Sequence, residues 1–138
     1  MKSFLSILTI IILLASCKSK TEKLLIKKWD CVKVDNLDPV DTKFQTPEDS
    51  VKVAAIEAAM KSLSWTFKND GSYTTGTAAG TVVQGTYIMD DKEKTLTCTT
   101  SSKNNSNIYT ITVLTENELV LSSAANGKSI VMHFLPAQ

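Results

Sequence analysis

From residue 28 onward, short runs of alternating apolar and polar residues predict a series of antiparallel β-strands. Alternation places every second side chain on the same face of a strand, and the Asn, Asp and Gly residues between the runs are typical of turns. Asn126-Gly127 is the strongest hairpin signal in the chain. Eight strands are predicted, over residues 29–34, 63–67, 72–75, 81–89, 95–100, 108–114, 119–122 and 129–135.

One segment between the first two strands has the period of a helix. Thr46 is the predicted N-cap, Pro47 suits the first helical position, and Glu48 and Asp49 place acids in the first turn. The helix is expected to end near Ser62 and to cover one mouth or side of the sheet, as a fixed plug rather than a lid. Its apolar positions recur at helical spacing and form one stripe of Val53, Ile56, Met60 and Leu63.

Together these elements predict a mostly β fold: an eight-stranded antiparallel meander barrel with one α-helix inserted between strands 1 and 2. The absence of repeated βα alternation disfavours a parallel sheet. Closing the sheet on itself removes its edge strands. A barrel of eight strands is wide enough to be filled by side chains or to hold one small ligand.

The first seventeen residues predict export and lipid anchoring. Lys2 precedes an apolar run over residues 4–14, which is too short to cross a bilayer comfortably and is typical of an export signal. Leu14-Ala15-Ser16-Cys17 resembles the lipobox of bacterial lipoproteins, which implies cleavage before Cys17 and acylation of its sulfur. Two or more acyl chains hold a protein stably on a membrane. The alternative is an export signal with a coincidental cysteine.

This organisation divides the chain into a signal peptide (1–16), the lipidated Cys17 with a short polar tether (17–26), and a barrel domain (27–138). The expected location is the bacterial envelope, attached to the outer membrane. Some surface-exported lipoproteins carry an acidic run after the cysteine, whereas Lys18-Ser19-Lys20 follows it here. A periplasm-facing position is therefore favoured.

Charge and cysteine content narrow the function classes. After cleavage, 14 lysines balance 14 acidic residues and the chain contains no arginine. Nucleic acid is not an expected partner, because the chain has no excess positive charge and lacks arginine, the side chain best suited to bind phosphates and guanine. Apart from Cys17, the chain has two cysteines, Cys31 and Cys98. In the oxidising compartment expected of an exported protein, they either form a disulfide or stay as buried thiols that pack as small hydrophobic side chains.

The residues that carry chemistry are sparse. His133 is the only histidine and is out of phase with its apolar neighbours, so it is interpreted as a surface residue. No metal-ligand spacing or nucleophile elbow is present, and no metal, cofactor or enzymatic activity is expected. Asp35, Asp38 and Asp41 offer oxygen ligands in one loop, but they lack the spacing of a calcium loop and are interpreted as solvated.

Three segments resemble the lipocalin-like lipoproteins of Bacteroidota. They are a first strand with a tryptophan (25–29), the hairpin Trp65-Thr66-Phe67-Lys68-Asn69-Asp70-Gly71-Ser72-Tyr73, and residues 85–89 followed by 109–111 and 118–121. The resemblance implies a calycin-like β-barrel with Trp29 at its closed end. Lys27 stands where lipocalins usually have glycine, and the inserted helix departs from the usual strand order.

Alternation assigns a set of mainly aromatic side chains to the barrel interior, where they either fill it or line a pocket. The leading hypothesis is a membrane-anchored protein that binds a small apolar or amphipathic ligand. The alternative is a non-enzymatic interaction module, an inhibitor or assembly factor, with a filled barrel that docks an envelope protein. The candidate pocket residues are Trp29, Trp65, Phe67, Tyr73, Tyr87, Met89, Tyr109, Ile111, Leu121, Met132 and Phe134.

Overall fold

A computed structural model describes residues 18–37, 46–77, 79–80, 82–125 and 128–138. The predicted signal peptide, Cys17, Asp38, Asp41 and the Asn126-Gly127 turn lie outside the described residues. In the part of the chain that is described, no helix has the length and apolar character needed to span a bilayer. The elements in chain order are α1 (Lys20–Leu25), β1 (Lys28–Asp35), α2 (Pro47–Lys61), β2 (Ser64–Phe67), β3 (Ser72–Gly76), β4 (Val82–Asp90), β5 (Thr95–Thr100), β6 (Ser106–Leu114), β7 (Leu119–Ala125) and β8 (Lys128–Pro136).

The strands form one closed barrel, which confirms the predicted fold class. Each strand pairs antiparallel with the next, and β8 returns to pair with β1. Trp29 lies opposite Trp65 across the β1–β2 pair, and Cys31 lies opposite Phe134 across the β1–β8 pair. The predicted strand positions differ by no more than three residues from those observed, because alternation and turn residues report local structure directly.

The barrel interior is apolar because alternate side chains of every strand point into it. Leu96, Leu119, Leu121 and Phe134 are among the fully buried side chains. Gly85 on β4 makes room for one of the rings: a Cβ atom there would lie 2.7 Å from Cε1 of Tyr73 and closer still to the Thr99 carbonyl oxygen. The aromatic packing on the neighbouring strand therefore requires glycine at this position.

The helix α1 closes one end of the barrel. Ser19 caps it by accepting a hydrogen bond from the Glu22 amide (3.0 Å), and Leu25 at its last position is completely buried. The Trp29 indole donates to the Leu25 carbonyl at 2.9 Å. The prediction of a polar tether over residues 18–26 is therefore wrong for the described residues, because a single buried leucine at the end of a six-residue helix leaves no detectable period.

At the same end, Lys27 replaces the glycine usual in lipocalins and has a structural role. Its ammonium lies 5.1 Å from the centroid of the Trp29 ring and donates to the Glu116 carbonyl at 3.0 Å. A cation placed over an indole face is attracted by the ring quadrupole. Lys27 thus packs over Trp29 and links the residue that precedes β1 to the turn between β6 and β7 by a hydrogen bond.

The helix α2 has the predicted bounds and cap. Thr46 accepts a hydrogen bond from the Asp49 amide (3.3 Å), and the Asp49 carboxylate accepts one from the Thr46 amide (3.2 Å), which completes a capping box. No residue of α2 is buried, and its main contacts are with β1. Ile56, in the centre of the apolar stripe, is 51% exposed, and Met60 is the residue of α2 that packs against the core. The role of α2 as a fixed plug stays a prediction.

Candidate functional site

The end of the barrel away from α1 is its mouth, and its floor is a cluster of aromatic rings. The Trp65 ring contacts that of Tyr109 edge-on, with 5.3 Å between centroids. Because β2 and β6 stand four strands apart in both directions, these two rings meet across the lumen. Tyr73 stacks on Trp65 at 6.1 Å and Phe134 meets it edge-on at 5.8 Å. The lumen is thereby closed at the level of Trp65.

Below this floor the barrel is filled. Phe67 packs edge-on against Tyr87 at 5.1 Å, and the Tyr87 hydroxyl donates to the Lys68 carbonyl at 2.8 Å. Trp29, whose indole bonds to Leu25 of α1, is also fully buried. All eleven predicted pocket residues belong to one hydrophobic core: nine are buried, and Met89 and Tyr109 are partly buried against it.

A small side pocket of about 240 Å³ opens beside α1 at the closed end. Met89, Ile111 and Leu114 supply its apolar lining. Its remaining lining residues are polar or charged and belong to α1, the β4–β5 turn and β6: Thr21, Asp91, Lys94 and Thr112. Two of the predicted pocket residues, Met89 and Ile111, therefore contact a cavity, but from outside the aromatic layer.

Above the floor, the wall of the mouth consists of uncharged side chains. Thr75 lies opposite both Trp65 and Val83 in the strand pairing, so Thr75 and Val83 face inward as Trp65 does. Ser123 lies opposite Ile130, and these two positions also face inward with the core residues. The same pairing turns Thr100 and Asn107 inward beside Gly85 and Cys98. We call these six the mouth residues: Thr75, Val83, Thr100, Asn107, Ser123 and Ile130. All are partly or largely exposed, and Val83 is 39% exposed.

Trp65 carries an unusual polar atom into this floor. The side chain is only 6% exposed, and its indole nitrogen is buried with no hydrogen-bond partner among the described residues. Buried donors in native proteins almost always have a partner, supplied by protein, water or ligand. Nearby, burial raises the pKa of Tyr109 to about 12, so its hydroxyl stays protonated at neutral pH. The polar atoms of the floor are therefore uncharged at neutral pH.

The two cysteines are free thiols in the structure. Cys31 lies on β1 and Cys98 on β5, four strands apart around the barrel. Opposite strands of an eight-stranded barrel are further apart than the roughly 7 Å between Cα atoms that a disulfide tolerates. Burial raises the pKa of Cys98 to about 12, which suppresses its thiolate. The alternative of buried hydrophobic thiols is the one the structure shows.

His133 lies outside the barrel, as its phase predicts. Its Nε2 is 3.0 Å from a carboxylate oxygen of Asp35, which also pairs with Lys33 at 2.9 Å. These contacts lower the pKa of Asp35, with the hydrogen bond from Lys33 as the main cause. Within the described residues, no three His, Cys, Asp or Glu side chains gather where they are able to hold a metal ion.

Comparison with known proteins agrees with this architecture. A family model described as the lipocalin-like domain matches residues 25–121, more than half of the chain. The chain belongs to the lipocalin-like domain family. The family match begins at Leu25, the buried residue of α1, and so includes β1 with Trp29 and the β2–β3 hairpin with Trp65.

Solved structures support the same fold. A DUF4847 family protein from Bacteroides vulgatus aligns with a TM-score of 0.54 and 19% identity, covering 85% of this chain and 96% of that one. A lipocalin-like protein from Bacteroides uniformis aligns with a TM-score of 0.53 and 15% identity, covering 83% and 99%. An uncharacterized protein from Bacteroides eggerthii gives 0.53 and 13%, covering 82% and 99%. No curated protein matches the sequence.

Sequence reasoning missed the mouth residues while finding the floor beneath them. It selected large apolar side chains at inward positions, whereas the mouth wall is built mainly from Thr, Ser and Asn. The signal was present in the same alternation: Thr75 and Val83 keep the phase of Tyr73 and Tyr87. Thr75, Val83, Thr100 and Ile130 lie within the predicted strands, and Asn107 and Ser123 lie one residue beyond a predicted strand end.

Proposed function

We propose that this member of the lipocalin-like domain family is a lipid-anchored envelope protein that binds a small amphipathic molecule at the barrel mouth. The filled lower half supports binding above the aromatic floor rather than deep in the barrel. The ligand would rest on Trp65 and Tyr109 and be surrounded by the mouth residues. Binding there buries apolar surface of the ligand against preformed rings.

The observation that carries this proposal is the indole nitrogen of Trp65. It is a hydrogen-bond donor, buried, and without a partner in the described part of the chain. Leaving such a group unsatisfied costs about 1–3 kcal/mol. A ligand with a hydrogen-bond acceptor removes this cost when it binds, whereas a hydrocarbon of the same shape does not.

The mouth residues restrict the chemistry of the ligand further. None of the six carries a charge, and the floor beneath them consists of neutral aromatic side chains. An ionised group entering this site would lose its hydration without finding a counter-charge. The inserted part of the ligand is therefore neutral and apolar, with a carbonyl or ether oxygen as its acceptor.

The arrangement favours binding over catalysis. His133 faces outward on β8, in the opposite phase to the mouth residue Ile130, and lies beside Asp35. The Cys98 thiol is buried, and its raised pKa keeps it protonated and unreactive. The neutral site offers neither an activated nucleophile nor a general base among the residues that form its floor and wall.

The test is a comparison of ligands that differ only in an acceptor. Displacement of a neutral environment-sensitive dye such as Nile red measures binding of methyl octanoate and of an alkane of similar length. We expect the ester to bind about fivefold more tightly, the equivalent of one neutral hydrogen bond. The Trp65→Phe variant keeps an aromatic ring but has no N–H, so it should lose this preference.

The matched control is Tyr87→Phe, which removes a hydroxyl bonded to Lys68 in the filled lower half. It should bind the ester and the alkane as the unaltered protein does. The proposal fails if neither compound displaces the dye, or if Trp65→Phe still prefers the ester. Native mass spectrometry of the protein isolated from its own envelope tests for a carried ligand in the same site.

A second candidate function is docking of another envelope protein by the outer wall. Ile88 and Ile108 are 73% and 64% exposed, and each lies beside Thr97 in the pairing of β4, β5 and β6. They form a short apolar row on a surface otherwise rich in threonine. An Ile88→Ser, Ile108→Ser variant that loses a co-purifying protein while still preferring the ester would support this role beside the first.

A further inference from the structure

Charge is divided unevenly between the start of the mature chain and the rest. Residues 18–28 contain five lysines and one glutamate, a net charge of +4. Residues 29–138 contain nine lysines and thirteen acidic residues, a net charge of −4. The net charge of residues 18–138 is therefore zero because a basic segment is joined to an acidic domain. The basic segment directly follows Cys17.

This basic segment is held rigidly on the closed end of the barrel. Leu25 is completely buried, and its carbonyl accepts the hydrogen bond of the Trp29 indole. At the other end of α1, the Lys18 ammonium bonds to Glu22 at 2.8 Å and lies 5.4 Å from the ring centroid of Tyr87. The segment is thus docked at both ends and cannot act as a long flexible arm.

Three lysines of this segment point into solvent. Lys20, Lys23 and Lys28 are exposed, and none forms an ion pair with a carboxylate of the described residues. The single acid of the segment, Glu22, is already occupied by Lys18. The exposed face therefore keeps its positive charge available for an external anion.

We infer that this face, formed by Lys20, Lys23 and Lys28, lies against the membrane and binds the phosphates of anionic lipid headgroups. The inference rests on the proposed lipid anchor, because acyl chains on Cys17 would hold Lys18 and the docked helix at the bilayer surface. A basic segment beside a lipid anchor supplies the second of the two signals that stable attachment needs. The acidic remainder of the domain is repelled from the same surface.

This placement also orients the barrel. The helix α1 closes the end opposite the mouth, so a membrane-bound α1 directs the mouth residues toward the aqueous compartment. A ligand then enters from water or from another protein and not directly from the bilayer. The headgroup-binding face and the ligand-binding mouth are thus at opposite ends of one barrel.

The first experiment measures lipid binding without the anchor. A chain beginning at Lys18 contains every core residue of the described structure, from Leu25 to Phe134. We expect it to sediment with vesicles of phosphatidylcholine and phosphatidylglycerol, not with phosphatidylcholine alone, and to be released by salt. The Lys20→Gln, Lys23→Gln variant should partition onto these vesicles at least tenfold more weakly. Each of the two lysines adds to the electrostatic attraction between the protein and the anionic surface.

The matched control is Lys52→Gln, Lys103→Gln, which removes two exposed lysines of α2 and of the β5–β6 loop. It should bind these vesicles as well as the unaltered chain does. Equal binding to both vesicle types, or equal weakening by the two double variants, would overturn the inference. Displacement by inorganic phosphate at equal ionic strength would indicate a free-phosphate site in place of a lipid surface.

The second experiment separates this inference from the anchor itself. The full protein is reconstituted in vesicles and treated with an impermeant amine-reactive reagent. Protection of Lys20 and Lys23 together with labelling of Lys103 supports the orientation, and the reverse pattern contradicts it. Mass spectrometry of Cys17 in the same sample reports the acylation independently, so a missing anchor and a wrong orientation give different results.

Discussion

The indole of Trp65 on β2 and the ring of Tyr109 on β6 meet edge-on in the centre of the barrel, with 5.3 Å between centroids and 83° between planes. These two strands stand on opposite sides of the barrel, so this single contact spans the lumen. It divides the interior into a filled half near α1 and a mouth lined by small uncharged side chains. Both proposals depend on this division, because it separates the proposed ligand-binding end from the proposed membrane-binding end.

Replacing Trp65 should destabilise the barrel strongly. Its ring contacts Phe67, Tyr73, Tyr109 and Phe134, and no smaller side chain reaches all four. Trp65→Ala should lower the free energy of unfolding by about 3–5 kcal/mol, the range for deleting a buried aromatic ring. Urea denaturation measures this value. Trp65→Phe should cost much less, and equal losses from both variants would contradict the packing.

Gly85 should not tolerate a methyl group. An alanine Cβ at this position would overlap the Thr99 carbonyl of the paired strand and approach the Tyr73 ring. Gly85→Ala should therefore reduce stability by about 1–3 kcal/mol through forced displacement of the backbone or the ring. Thr86→Ala, one residue further along β4 and on its exposed face, is the control for thermal unfolding and should change little.

The capping box of α2 should affect the helix without affecting the barrel. Thr46→Ala removes the acceptor for the Asp49 amide and costs about 1 kcal/mol of helix stability. Because no residue of α2 is buried, this loss should appear as faster amide exchange over residues 47–61. Exchange of the β-strand amides should be unchanged. Global destabilisation by the same amount would show that α2 is coupled to the core.

Both cysteines should behave as protected thiols. Reduction of the folded protein should leave its mass unchanged, because Cys31 and Cys98 are not bonded to each other. At neutral pH a thiol whose pKa is raised to about 12 has almost no thiolate, so Cys98 should react with alkylating reagents only after denaturation. A gain of two hydrogens on reduction would instead support the disulfide alternative.

Tyr109 should make the protein sensitive to alkali. Burial raises its pKa from 10.0 to about 12, so the folded state favours the protonated phenol. This contribution to stability is fully present below pH 10 and is lost as the pH rises through about 12. Urea denaturation between these limits should show declining stability. Tyr109→Phe should flatten the decline, and an unaltered profile in that variant would reject the assignment.

Several features of the fold were predictable because they depend on neighbours in sequence. Asn69-Asp70-Gly71 predicted the β2–β3 turn, and Gly71 has the left-handed φ of +83° that such a turn needs. Thr46 and Pro47 predicted the start of α2 to the residue. The interior phase of Trp65 and Tyr87 followed from alternation alone. Each of these depends on a period or on a local hydrogen bond.

Other features depend on contacts that form only in the closed barrel, and the sequence did not predict them. The burial of Leu25, the contact of Trp65 with Tyr109 and the separation of Cys31 from Cys98 all join residues that the sequence places far apart or leaves without a pattern. The exposure of α2 belongs to the same group. The main contacts of α2 are with β1, and none of its residues is buried.

The sequence by itself determined the eight strands, their turns, the helix cap and the set of side chains that point inward. These follow from steric alternation and from backbone hydrogen bonds within a few residues. Only the tertiary structure decided which inward side chains fill the lumen and which surround its mouth, and which end the basic segment occupies. The reason is physical: strand tilt and register set these distances, and they exist only once β8 has paired with β1.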